Sequence, residues 1–144
     1  MYIIKNDFME VTYEVAQNVF TVKWSDALSV ESPLFYQTII SLFAIIQERK
    51  VRNLIIDSGI PAGGVLTEEV INYFIQHIPY TTLRNIALLE SPDFLWDNNL
   101  YQVLSLLITS YHLPIAIEMV KSPEAGREWF AQAALASPHT DIVG

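Results

Sequence analysis

The run Leu54-Ile55-Ile56, inside Arg52–Asp57, admits few structural settings. Three consecutive apolar residues, two of them β-branched, lack the alternation of a strand with one wet face. They fit a strand covered on both faces, the usual state of a parallel strand between helical layers. The segment ends in a carboxylate, Asp57. It then opens into the loop Ser58–Leu66, which holds Gly59, Pro61, Gly63 and Gly64. Such a strand needs a neighbour on each side and a layer above and below.

The flanking chain offers both. Tyr2–Lys5 reads as a short strand followed by an Asn6-Asp7 turn. Met9, Val11, Tyr13 and Val15 alternate with Glu10, Thr12 and Glu14. After a turn at Ala16-Gln17-Asn18, Phe20, Val22 and Trp24 alternate with Thr21 and Lys23. These three segments predict an antiparallel meander with one solvated face. Ser32-Pro33 supplies an N-cap and a first helical residue. Phe35, Ile39, Leu42, Phe43 and Ile46 then recur at helical spacing, predicting a helix over 33–49.

Beyond the central strand, Thr67 caps a second helix with Glu68 and Glu69 in its first turn, and Pro79 stops it. Asn85–Glu90 reads as a buried strand and Ser91-Pro92-Asp93 as a turn. Leu100, Val103, Leu104, Leu107, Ile108 and Tyr111 predict a third helix over 98–111. Pro114–Val120 reads as a last strand. Ser122-Pro123-Glu124 starts a fourth helix, and the segment beyond about Leu135 reads as a flexible tail. The order β-β-β-α-β-α-β-α-β-α predicts one α/β domain over 1–135 with a mixed sheet.

Composition narrows the functions. The 144 residues are 51% hydrophobic and 17% charged, enough to bury a core without staples. No cysteine is present, which removes disulfides, thiolate metal sites and a cysteine nucleophile. The net charge of −8 disfavours nucleic acid and anionic lipid surfaces. No apolar run is long enough to span a membrane, and the amino terminus lacks the pattern of a signal peptide. The expectation is a cytoplasmic protein without membrane insertion.

The candidate sites each carry two readings. Asp57, at the carboxyl end of a parallel strand, either faces a ligand or partner or caps its own loop. Ser58 and Gly59 follow it. Gly59–Gly64 lacks the Lys-Ser/Thr of a P-loop, and Glu68-Glu69 already fill the helix end an anion would use. Trp96, in Phe94-Leu95-Trp96, is either an exposed contact or core packing. His77, His112 and His139 are scattered, so no metal ligand set emerges, and no nucleophile–base set can be named.

The whole order resembles that of small STAS-like proteins, which share the fold of the sporulation anti-sigma-factor antagonists. The resemblance rests on the meander ending in Trp24, on Phe35-Tyr36, Leu54-Ile55-Ile56-Asp57, Thr67-Glu68-Glu69 and Asn85-Ile86-Ala87, and on the closing Lys121–Trp129. It implies a STAS-like fold and a regulatory phosphosite in an Asp-Ser-Ser-Gly loop at a helix cap. Here Asp57-Ser58-Gly59 lacks one serine and lies about eight residues before the helix, so Ser58 and Thr67 are the two candidate phosphosites, Thr67 being the nearer by position. The expectation is a non-enzymatic regulatory or protein-interaction module without cofactor. Its partner, another protein, would meet Asp57, Ser58, Gly59, Thr67 and Trp96, and self-association is left open. The alternative is a carrier of a small apolar or lipid-like ligand.

Overall fold

The structure, a computed structural model, describes residues 2–25, 32–58 and 65–136. Gly59 and the segment beyond Ala136 lie outside the described residues. Six strands, β1 (Tyr2–Lys5), β2 (Met9–Glu14), β3 (Val19–Trp24), β4 (Asn53–Asp57), β5 (Asn85–Leu89) and β6 (Ala116–Val120), form one sheet in that spatial order. β1, β2 and β3 pair antiparallel; β3 to β6 pair parallel. Four helices follow the parallel strands: α1 (Pro33–Arg49), α2 (Glu68–His77), α3 (Phe94–Ser110) and α4 (Pro123–Ala136). The expected mixed-sheet α/β architecture is therefore present, with β4 between parallel neighbours.

Because each parallel strand lies beside the one before it, right-handed crossovers carry α1, α2 and α3 to the same face. Their buried side chains, Phe35, Ile39, Val70, Phe74, Leu100 and Leu104 among them, share one core with Leu54, Ile56, Ile86 and Leu88 of the sheet. α4 follows the edge strand and has no further strand to reach. It packs on the other face, where Phe130 meets Val19, Ile55, Ala87 and Val120. Consecutive apolar residues in β4 are thus divided between two cores. Gly126 of α4 faces the sheet, where a Cβ would sit in van der Waals contact, 3.4 Å from the Ala87 Cβ.

The amino-terminal ends of the parallel strands are locked by asparagines. Asn18 adopts left-handed backbone (φ 52°) after a short 3₁₀ turn, and its side chain accepts the Arg52 N–H at 2.9 Å. Asn85 donates to Asn53 at 2.9 Å. On the α4 side, Arg127 clasps Glu14 of β2 through Nε and Nη2, at 3.0 and 2.6 Å.

Among the expected boundaries that move, two have a clear local cause. β2 ends at Glu14, and Val15 enters the 3₁₀ turn and is exposed instead of continuing the apolar face. α3 starts at Phe94, four residues earlier than its apolar spacing indicates. Asp93 is its N-cap, with Oδ1 accepting the Trp96 N–H at 3.0 Å.

Candidate functional site

Of the expected site residues, Asp57 and Ser58 lie at the carboxyl end of β4, Thr67 at the start of α2 and Trp96 in the first turn of α3. Asp57 closes β4 on the face that α4 covers, as the burial of Ile55 two residues earlier requires. Its register partner on β3 is Lys23, which in turn opposes Glu10 of β2, and Glu10 opposes Lys5 of β1. Four charges of alternating sign therefore run across four neighbouring strands. Between antiparallel neighbours, opposite charges facing each other contribute about 0.2–1 kcal/mol per pair. This places Asp57 in a balanced row, a relationship visible only once register is known.

Ser58 is buried, with 3% of its surface exposed. A kinase could reach its hydroxyl only after local opening. Thr67 is partly exposed and caps α2, its Oγ1 accepting the Val70 N–H at 3.3 Å. Glu68 and Glu69 stand in the first turn beside it, where they already complement the helix dipole.

The end of the β4–α2 connection is tied to α3. The Leu66 N–H donates to Asn99 Oδ1 at 2.8 Å. Asn99 lies one turn after Leu95, on the same side of the helix. Val65, the residue before Leu66, is 48% exposed, Leu95 59% and Phe94 79%. Three large apolar side chains thus meet solvent in the two segments that this hydrogen bond joins. Acidic residues stand close to them in sequence: Glu68, Glu69 and Glu90 are exposed, and Asp93 is half-buried.

Trp96 does not belong to this surface. It points inward from the first turn of α3, is fully buried, and meets Phe35 edge-on at 6.1 Å. The reading of Trp96 as an exposed contact is corrected: Asp93 starts the helix early enough to turn Trp96 toward the core and Phe94 and Leu95 outward.

A groove of about 270 Å³ opens beside Phe94, lined by Glu90, Ser91, Phe94, Asp97, Asn98 and Met119. Its floor is a closed hydrogen-bond set. The buried Asp97 accepts the Ser91 N–H at 2.7 Å and the Ser91 hydroxyl at 2.8 Å, while Ser91 Oγ accepts the Asp93 N–H at 3.2 Å. Both carboxylate oxygens accept hydrogen bonds from Ser91, and the set fixes the β5–α3 turn. Ser91-Pro92-Asp93, expected as a plain turn, also holds this hydrogen-bond set. The Ser-x-Asp-x-x-x-Asp spacing before an apolar run was the available signal.

A larger groove, about 450 Å³, lies at the opposite ends of the strands between α4 and Gln17, Val19 and Asn53. None of the expected site residues lines it, and its one cation, Arg127, is held by Glu14. Among the described residues no cluster of three His, Asp or Glu side chains could hold a metal ion, and no helix is long and apolar enough to cross a membrane. No protein-family model, curated protein or solved structure matches the chain.

Proposed function

We propose that the protein is a non-enzymatic interaction module that binds another protein through the carboxyl ends of its parallel strands. The observation that carries this reading is the joint exposure of Val65, Phe94 and Leu95 in the two segments that the Leu66–Asn99 hydrogen bond joins. Water-exposed aromatic and aliphatic side chains cost solubility, and a group of them on a folded surface is the common mark of a docking face. The acidic residues close to them in sequence select the partner's chemistry: an apolar centre flanked by lysine or arginine. The STAS-like order of segments supports a regulatory setting. Asp57 and Thr67 lie at the margin of the same end, and Thr67 is the more accessible hydroxyl for modification.

Capture from the native cell extract tests the proposal. Tagged wild-type protein is compared with the double variant Phe94→Ser/Leu95→Ser under matched conditions. A protein retained by the wild type and lost by an equally folded variant is the expected result. Identical retained sets would sink the proposal.

A further inference from the structure

The groove beside Phe94 contains a buried carboxylate that no cation of the chain neutralises. Asp97 is 7% exposed and lines the groove together with Glu90, Ser91, Phe94, Asn98 and Met119. The Ser91 N–H donates to one of its oxygens and the Ser91 hydroxyl to the other. A carboxylate accepts about four hydrogen bonds, so each oxygen keeps a further lone-pair direction. All eight lysines and arginines lie among the described residues, and none forms an ion pair with Asp97 or Glu90, exposed Lys121 just past β6 included. The amino terminus of α3 offsets part of the cost of burying this carboxylate. A counter-charge in the groove would offset more of it.

We propose that the groove binds a primary ammonium carried on an apolar stem. An ammonium has three N–H donors, and three oxygen-bearing acceptors line the same space: the Asp97 and Glu90 carboxylates and the Asn98 amide. The exposed Phe94 ring and Met119 supply apolar walls for the stem, and the ring face also favours a cation. A guanidinium suits the site less well. Its fork needs both oxygens of one carboxylate open side by side, and Ser91 already takes one direction on each. A metal ion suits it less well too, since among the described residues no three His, Asp or Glu side chains come together. The volume of about 270 Å³ matches a ligand at the small end of the usual range. Two sources supply this chemistry, a free small amine and the lysine side chain of a docked protein. The groove shares Phe94 with the docking face but needs neither Val65 nor Leu95, so it stands without that reading.

The test is a titration of the full chain with 2-phenylethylamine, 2-phenylethanol and Nα-acetyl-lysine amide at matched ionic strength, followed through the backbone amide resonances. Phenylethylamine is expected to move the amides of residues 90–98 saturably. It is expected to bind at least about tenfold tighter than phenylethanol, the worth of a charge-assisted hydrogen bond. Glu90→Gln, an exposed position, should weaken the amine several-fold and leave the alcohol unchanged, and Asp97→Asn should weaken the amine further. Lysine amide binding at the same amides as tightly as phenylethylamine would support the site with a protein lysine as its source; weaker binding would support it with a free amine. Equal affinities for amine and alcohol, or an amine affinity untouched by Glu90→Gln, would each overturn the proposal. So would shifts of the same size around Glu68, Glu69 and Glu124, which a chain of net charge −8 gives to any cation. The wild-type comparison of amine with alcohol decides the matter even where Asp97→Asn fails to fold.

Discussion

The Leu66 N–H and Asn99 Oδ1, 2.8 Å apart, join the loop after the central strand to the helix that follows the next strand. One hydrogen bond thereby ties the end of one crossover to the helix of the next. Replacing Asn99 by Ala leaves a part-buried N–H without its acceptor. The expected cost is about 1–2 kcal/mol in chemical denaturation. Asn99→Asp keeps an oxygen at the site and should lose less. Equal losses for the two variants would show that the acceptor is not what matters.

Arg127 and Glu14 connect α4 to the meander across the sheet. Hydrogen bonding to Glu14 raises the Arg127 pKa, opposed by desolvation and assisted by the Glu14 and Glu124 charges. Both side chains are about one-third exposed, so solvent screening keeps the pair modest despite its forked geometry. A double-mutant cycle with Arg127→Ala and Glu14→Ala should return a coupling of about 0.5–1 kcal/mol that shrinks in high salt. A coupling insensitive to salt would contradict that assignment.

Gly126 presents opposing terms. Alanine is favoured over glycine inside a helix by about 1 kcal/mol. The added Cβ would lie 3.4 Å from Ala87 Cβ and 3.5 Å from Ile55 Cδ1, which is contact without overlap. Gly126→Ala is therefore expected to be neutral or stabilising. Gly126→Leu has nowhere to put its branches and should cost about 1–3 kcal/mol. Thermal unfolding of the two variants separates these outcomes; a strongly destabilised alanine variant would mean that α4 sits closer to the sheet than described.

Tyr73 stacks on His77 at 3.8 Å, and Tyr36 stands edge-on to it at 5.6 Å. Burial, with a smaller contribution from Tyr36, raises the Tyr73 pKa above the ordinary 10.0. The folded state therefore holds this proton longer than the unfolded chain does. Stability is unaffected below about pH 10 and falls as pH rises from there through the folded value. Tyr73→Phe should flatten that alkaline decline, as read from denaturation midpoints. An unchanged slope would assign the decline to other groups.

Much of this architecture was legible because burial on two faces leaves a direct trace. Leu54, Ile55 and Ile56 carry no alternation, and the structure divides them between the α1–α3 core and the α4 core. Ser32 and Thr67 marked their helix starts by side-chain chemistry, and both accept the expected backbone N–H. Trp96 was harder to read. Its direction depends on whether the helix begins at residue 94 or 98, and apolar spacing alone starts it late; the Asp93 cap decides. Lys23 beside Asp57 was hidden for another reason. Register across parallel strands is set by crossover geometry, which no local pattern reports.

The central claim is that Val65, Phe94 and Leu95 form the docking face. Its most direct test is the change in backbone amide resonances when the captured partner is titrated into the protein. The expected changes concentrate at residues 65–69 and 90–99, with smaller ones at 57–58, and weaken as salt rises. Changes confined to α4, or to the outer faces of α1 and α2 around Tyr36 and Tyr73, would place the partner elsewhere and contradict the claim.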